Sequence, residues 1–234
     1  MSEPTLPMNR KVERSHVWAR EPNDWYVEER WCSEALFRSL DFDGLIVDPF
    51  CGLGRILDSA KAAGYATFGM DIINRGCAHD FELVDFDHDF SGIVRALAPR
   101  IARFRDRFCI VSNPPYLDMP KGRAIERVGQ LNALGASKVA LLLRAAWANG
   151  GKVSAALETM PLRRVAACSP RPSIPPGHVV LAAESGARYT DTDDKVSVGG
   201  GREDYNWYFF VRGHTGKPDF SWVRKPVIAK ARPA

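Results

Sequence analysis

The stretch Ser112-Asn113-Pro114-Pro115-Tyr116 has the densest chemical content in the chain. It follows a short apolar run, Phe108 to Val111, that predicts a strand at the centre of a sheet. Asn113 precedes a proline and is therefore pushed toward extended backbone. Pro114 and Pro115 lack N–H groups, so the turn offers carbonyls and one amide side chain but few donors. Tyr116 adds a flat ring. A rigid pair of acceptors beside a stacking surface suits a planar group bearing an NH2, such as a nucleobase edge. A plain Asn-Pro turn closing a strand would look the same in isolation.

A second group precedes it. Leu45-Ile46-Val47 predicts a buried strand, ended by Asp48-Pro49-Phe50-Cys51-Gly52-Leu53-Gly54-Arg55, with Ile56, Leu57, Ala60 and Ala63 following at helical spacing. Gly52 and Gly54 would let backbone approach a ligand at a helix N-terminus. The third glycine of the dinucleotide fingerprint is absent, as is the Gly-Lys-Ser/Thr of a phosphate loop. Asp71 closes a second strand, Ala66 to Met70, close to the roughly 20 residues beyond the glycine turn at which a ribose-binding carboxylate is expected. Ile72 beside it could flank an adenine ring. A third strand, Phe81 to Val84, ends in Asp85-Phe86, where the acid could accept from an adenine amine while the ring covers it. Asp89-Phe90 repeats the dipeptide and leaves that register open. Upstream, Tyr26 and Trp31 are candidates for one wall of the same site.

These residues need an α/β frame to meet. Trp31, Ala35, Leu36 and Leu40 predict a helix before the first strand. Ile93, Val94, Leu97, Ile101 and Phe104 predict another with a basic outer face. Beyond the Asn-Pro-Pro-Tyr turn come a basic loop with Lys121 and Arg123, a short helix at Val128, Leu131 and Leu134, and a fifth strand, Val139 to Leu143. A helix at Val153 to Leu157 and a sixth strand, Arg164 to Cys168, follow. Arg171 to Gly177 is too proline-rich for regular structure. His178 to Ala183 reads as a short extended piece, Glu184 to Glu203 as a loop, and Asn206 to Val211 as the clearest late strand. The expected organisation is a polar arm (1–23), one domain (24–216) and a basic tail (217–234).

The 234 residues suffice for one α/β domain with a substantial core. A formal charge of +4 permits a polyanionic partner without requiring one. No run is long and apolar enough to span a membrane, and the polar start lacks a signal-peptide core. The five cysteines are widely spaced and the five histidines scattered, which predicts reduced thiols, a cytoplasmic setting and no metal site.

Asp-Pro-Phe-Cys-Gly-Leu-Gly at the first strand and Ser-Asn-Pro-Pro-Tyr at the fourth, in this order, resemble class I S-adenosylmethionine-dependent amino-methyltransferases. The similarity is greatest to adenine-N6 DNA methyltransferases of the small phage and prophage type. Arg171 to Ser173 and Asp204 to Phe209 also resemble those enzymes. The resemblance implies a single Rossmann-like domain with a seven-stranded, mostly parallel sheet, an antiparallel last hairpin and helices on both faces. Asn206 to Val211 would insert between the fifth and sixth strands. It implies that Asp48, Pro49, Phe50, Cys51, Gly52 and Gly54 bind the methionine portion of S-adenosylmethionine. Asp71 would take the ribose and Asp85-Phe86 the adenine. Asn113, Pro114, Pro115 and Tyr116 would hold the target amine. Tyr26 to Trp31 would close over the methionine end, although the expected proline is replaced at Glu29. Arg55 stands where a small residue is usual.

The implied reaction is methylation of adenine N6 in DNA, with S-adenosylhomocysteine as product. Lys121, Arg123 and Arg171 are the expected phosphate contacts. No separate target-recognition domain fits in the remaining length, so recognition should be short or weak, or supplied by a homodimer or specificity partner. RNA or a protein glutamine amide could meet the same acceptors, and a silent cofactor- or nucleic-acid-binding subunit is a reading of another class.

Overall fold

A computed structural model of the chain describes residues 5–6, 21, 23–86, 88–115, 123–189, 196, 198 and 201–226. One eight-stranded sheet organises them. In chain order its strands are β1 (Leu45–Asp48), β2 (Ala66–Asp71), β3 (Phe81–Leu83), β4 (Phe108–Ser112), β5 (Lys138–Arg144), β6 (Leu162–Ser169), β7 (Tyr205–Val211) and β8 (Asp219–Arg224). Across the sheet the order is β8-β6-β7-β5-β4-β1-β2-β3. β7 runs antiparallel between β5 and β6, where the late aromatic strand was expected. The other pairs are parallel.

The strands read as continuous apolar runs because both faces are covered. Ile46, Cys109, Val111, Ala140, Leu142, Trp207 and Phe209 point into one core layer with Trp31 and Leu36 of α1 (Arg30–Ser39) and Leu57 of α2 (Arg55–Ala62). Their neighbours Val47, Phe68, Ile110, Leu141, Tyr208 and Phe210 point into the opposite layer with Ile93 and Leu97 of α3 (Phe90–Ile101) and Leu131 of α4 (Arg123–Ala133). A short α5 (Gly151–Leu157) precedes β6. Among the described residues no helix is long and apolar enough to cross a membrane.

Three expectations change. The sheet has an eighth strand: β8 pairs with β6 from Asp219↔Arg164 to Arg224↔Ser169, inside the stretch expected as a basic tail. Its alternation explains this, since Val223 is buried in the α1-side core while Phe220 and Trp222, 59% and 56% exposed, face outward. The domain therefore runs past residue 216. Second, His178 to Ala183 belongs to a helix, α6 (Gly177–Glu184), not an extended piece. Its paired valines favour strand, but Pro176 at the N-cap, burial of Val180 and packing of Val179 with Ala187 and Val196 override that propensity. Third, Asp89 is the N-cap of α3 and accepts from Gly92 N–H at 2.7 Å, which assigns the repeated dipeptide: Asp85-Phe86 closes the β3 segment. Of the N-terminal arm, Thr5–Leu6 is described and pairs in parallel with Arg188–Tyr189.

The core assignment is testable by substitution. Phe210 is fully buried at the centre of the sheet, so Phe210→Ala should cost about 3–5 kcal/mol of unfolding free energy. Phe220→Ala on the edge strand should stay within about 0.5 kcal/mol of the parent. Equal losses in urea denaturation would contradict this packing.

Candidate cofactor cleft and active site

Parallel pairing of β1 with β4 brings the carboxyl ends of both strands together, at the point where strand order reverses. Open α/β sheets place ligands at such a switch point. A cleft open to solvent lies here, lined by the end of β1, the turn into α2, the end of β2 and the segment before α1.

The two motifs meet through Asp48 and Ser112. Asp48, 1% exposed, accepts from Ser112 Oγ at 2.6 Å and from Phe50 N–H at 3.1 Å. The next turn residue, Gly52, has φ +52° and donates its N–H to Asp71 Oδ2 at 2.8 Å. A Cβ on Gly52 would lie 3.1 Å from Trp25 Nε1, a tight contact that, with the positive φ, favours glycine where backbone and indole approach. Asp71 Oδ1 also accepts from Ile73 N–H at 3.2 Å, and Ile72 lines the cleft. Phe50 and Phe86 pack with centroids 5.0 Å apart and together form an apolar wall.

Asn113 is held from behind. Its Nδ2 donates to Tyr26 O and to Glu28 Oε2, each at 3.0 Å. A backbone carbonyl can only accept, so the NH2 end must face Tyr26 and the amide oxygen points the other way. The segment carrying Tyr26 and Glu28 is itself laced down: Val27 N–H donates to Pro175 O and Gly177 N–H to Trp25 O, both at 2.9 Å. A Cβ at Gly177 would sit 2.1 Å from the Trp25 ring, which requires glycine there.

Tyr26, Asp48, Phe50, Cys51, Gly52, Asp71, Ile72, Phe86, Asn113 and Pro115 all line the cleft. Other expected site residues do not. Trp31 lies on α1 in the core, with Lys225 Nζ 6.0 Å from its ring, because the helix phase turns it inward. Pro49 and Pro114 are buried within the turns, and their rings do not line the cleft. Gly54 caps α2. Asp85 turns out to the His88 ring at 3.0 Å. Arg171 pairs on the surface with Asp204 at 2.6 Å. Arg123 begins α4, and Tyr116 and Lys121 lie outside the described residues. The structure adds Trp25 and Arg75 to the lining and singles out Glu28 from the expected Tyr26 to Trp31 segment, with Arg55 known only as a departure. The aromatic density of Trp25-Tyr26 was the one available signal.

The electrostatics of the cleft suit a ligand carrying both signs of charge. Trp25 Nε1, Arg55 Nε and Arg75 Nε are buried donors without a hydrogen-bond partner among the described residues, and all three residues line the cleft. Such donors favour an anionic group. Arg75 also stacks 4.2 Å over the Trp25 ring, and Arg55 forms an ion pair with Glu184. Against them stand Glu28, Asp48 and Asp71. Burial pushes the Asp48 carboxyl well up, hydrogen bonds from Ser112 and Phe50 oppose this, and repulsion from Glu28 and Asp71 adds to it. Burial likewise raises Glu28. A cation nearby would relieve both. The carboxylate, ammonium, sulfonium and flat adenine of S-adenosylmethionine match these donors, acids and aromatic wall, so the residues present fit that cofactor. Among the described residues no three His, Cys, Asp or Glu side chains gather to hold a metal ion.

No protein-family model matches the sequence, and no curated protein sequence matches it. Solved structures similar to the chain include a SAM-dependent methyltransferase from Archaeoglobus fulgidus, at 12% identity over 79% of this chain and 95% of that one, with a TM-score of 0.44. Another is the 23S rRNA methyltransferase ErmE, at 10% identity over 81% and 70%, with a TM-score of 0.40. Neither substrate carries across at such distances.

The raised Asp48 carboxyl sets a pH signature. A carboxyl whose folded pKa lies above its unfolded pKa contributes stability that is present below the unfolded value and lost as pH rises through the folded value. Asp48→Asn keeps an oxygen for Ser112 and Phe50 but cannot ionise. Its stability relative to the parent should therefore climb as pH rises from about 4 into the neutral range. Urea unfolding that finds a constant difference across that range would contradict the buried, strained carboxylate.

Proposed function

We propose that the chain is an S-adenosylmethionine-dependent N-methyltransferase acting on the exocyclic N6 amine of adenine in DNA, with short or weak sequence specificity. The observation that carries this reading is Asn113: its amide is held by Tyr26 O and Glu28 with the oxygen turned away from both, on the same cleft as the glycine turn and its acids. When bound, the cofactor supplies an electrophilic methyl group on a sulfonium. The chain then has to align a weak nucleophile, because the lone pair of a base amine is delocalised into the ring.

Asn113 Oδ1 and Pro114 O would accept the two N–H bonds of the amine. That geometry favours a pyramidal nitrogen and stabilises the positive charge that develops on it. Most of the remaining work is orientation. The extra proton leaves the methylated nitrogen for solvent after transfer. Tyr116 would stack on a base rotated out of a duplex. Lys121, Arg123 and Arg171 would meet phosphates. For Arg171 a phosphate would displace an exposed ion pair with Asp204, and exposed pairs of this kind hold weakly.

The test is mass spectrometry of nucleosides and peptides after incubation with labelled cofactor and DNA, RNA or protein. Labelled N6-methyladenine from DNA is expected. Label in RNA or in glutamine would replace the substrate named here. Asn113→Ala should lower turnover by about 100-fold or more while S-adenosylhomocysteine still binds. Gly52→Val should abolish that binding in calorimetry, since its side chain would strain a turn at φ +52° and displace the Trp25 indole that lines the cleft. A folded Gly52→Val protein with parental affinity would remove the cofactor from this cleft.

A further inference from the structure

We infer that Glu28 is a positioning residue for methyl transfer, fixing the Asn113 amide and increasing the negative charge on its oxygen where the target amine becomes cationic. This rests on the reading of Asn113 as the amine's acceptor. Glu28 is 5% exposed, lines the cleft and accepts from Asn113 Nδ2 at 3.0 Å. Tyr26 O, also 3.0 Å from that nitrogen, already sets which way the amide points. Orientation alone therefore does not need a second acceptor, and a glutamine could provide one without the cost of a buried charge. What the carboxylate adds is charge. A charge-assisted hydrogen bond polarises the amide, and the polarisation passes to the oxygen on its far side.

The groups facing Glu28 are Arg30 and Cys32 of α1, Arg55 at the start of α2 and Asp48 at the end of β1. Burial outweighs the two arginines and holds the Glu28 carboxyl above the ordinary carboxylate range. The charge it lends to Asn113 is thus lost at a higher pH than an exposed glutamate would lose it. Below that pH the amide stays in place but its oxygen is a weaker acceptor.

Two measurements test this. The first follows the Asn113 side-chain amide by 1H–15N spectroscopy of the cofactor-free protein as pH falls. The resonance should titrate in the parent and stay constant in Glu28→Gln. The second follows the single-turnover rate of methyl transfer to an adenine-containing DNA oligonucleotide. Glu28→Gln should be slower by about 10-fold at pH values above the parent's acidic limb, the difference between a charged and a neutral hydrogen bond. It should also lack the parent's acidic limb. An Asn113 resonance that does not move with pH in the parent would overturn the inference, as would a Glu28→Gln rate and pH profile equal to the parent's while Asn113→Ala is inactive. Full turnover by Asn113→Ala would instead overturn the reading of Asn113 and this inference with it.

Discussion

Two carboxylates held out of water at one edge of the sheet, Asp48 and Glu28, are the constraint on which the rest of the cleft depends. A buried charge is costly unless it is hydrogen-bonded. Each of these acids draws its partner from a different part of the chain. Asp48 is met by Ser112 at the end of the neighbouring strand and by the first backbone N–H of its own turn. Glu28 is met by Asn113, one residue beyond Ser112. A one-residue slip between β1 and β4 would turn Ser112 away from Asp48, since alternate residues face opposite sides of a sheet. The two-sided apolar core, which fixes that register, therefore also fixes the site.

The segment before α1 completes the arrangement. It has no regular structure of its own, yet it is bound on both sides: to Pro175 and Gly177 through backbone hydrogen bonds, and to Asn113 through Tyr26 and Glu28. The Trp25 ring sits between Gly177 and Arg75, with its N–H beside Gly52. One strap thus supplies a donor for an anion, an acid for a cation and the carbonyl that orients the amide. A cleft with donors at one side, acids at another and a Phe50–Phe86 wall matches the three chemical parts of the proposed cofactor.

The frame and the two central turns were legible in the sequence because each rests on local rules. Apolar runs broken by Asp-Pro and Asn-Pro place strand ends, and Gly52 permits the turn. The α1 helix was legible, but not its rotation, so Trp31 was assigned to the wall when packing turned it into the core. Asp85 and Asp89 stand in identical dipeptides, and only the tertiary contact of Phe86 with Phe50 and the capping of α3 separate them. Glu28 carries no motif. Its role follows from burial beside a residue far away in sequence. β8 was hidden because a basic composition masked a short alternation of Phe220, Trp222 and Val223.

S-adenosylmethionine bound among the buried acids and orphaned donors of this cleft would have its positive charge near Asp48 and Glu28. Burial makes these carboxyls bind protons more readily, and a bound cation should oppose that and favour proton release. Calorimetry of S-adenosylmethionine binding in buffers of different ionisation enthalpy measures that release directly, and S-adenosylhomocysteine, which lacks the sulfonium charge, is the comparison. Net proton release with S-adenosylmethionine should exceed the release with S-adenosylhomocysteine and shrink when Asp48 is replaced by Asn. Equal proton exchange for the two ligands, or binding with none, would contradict it.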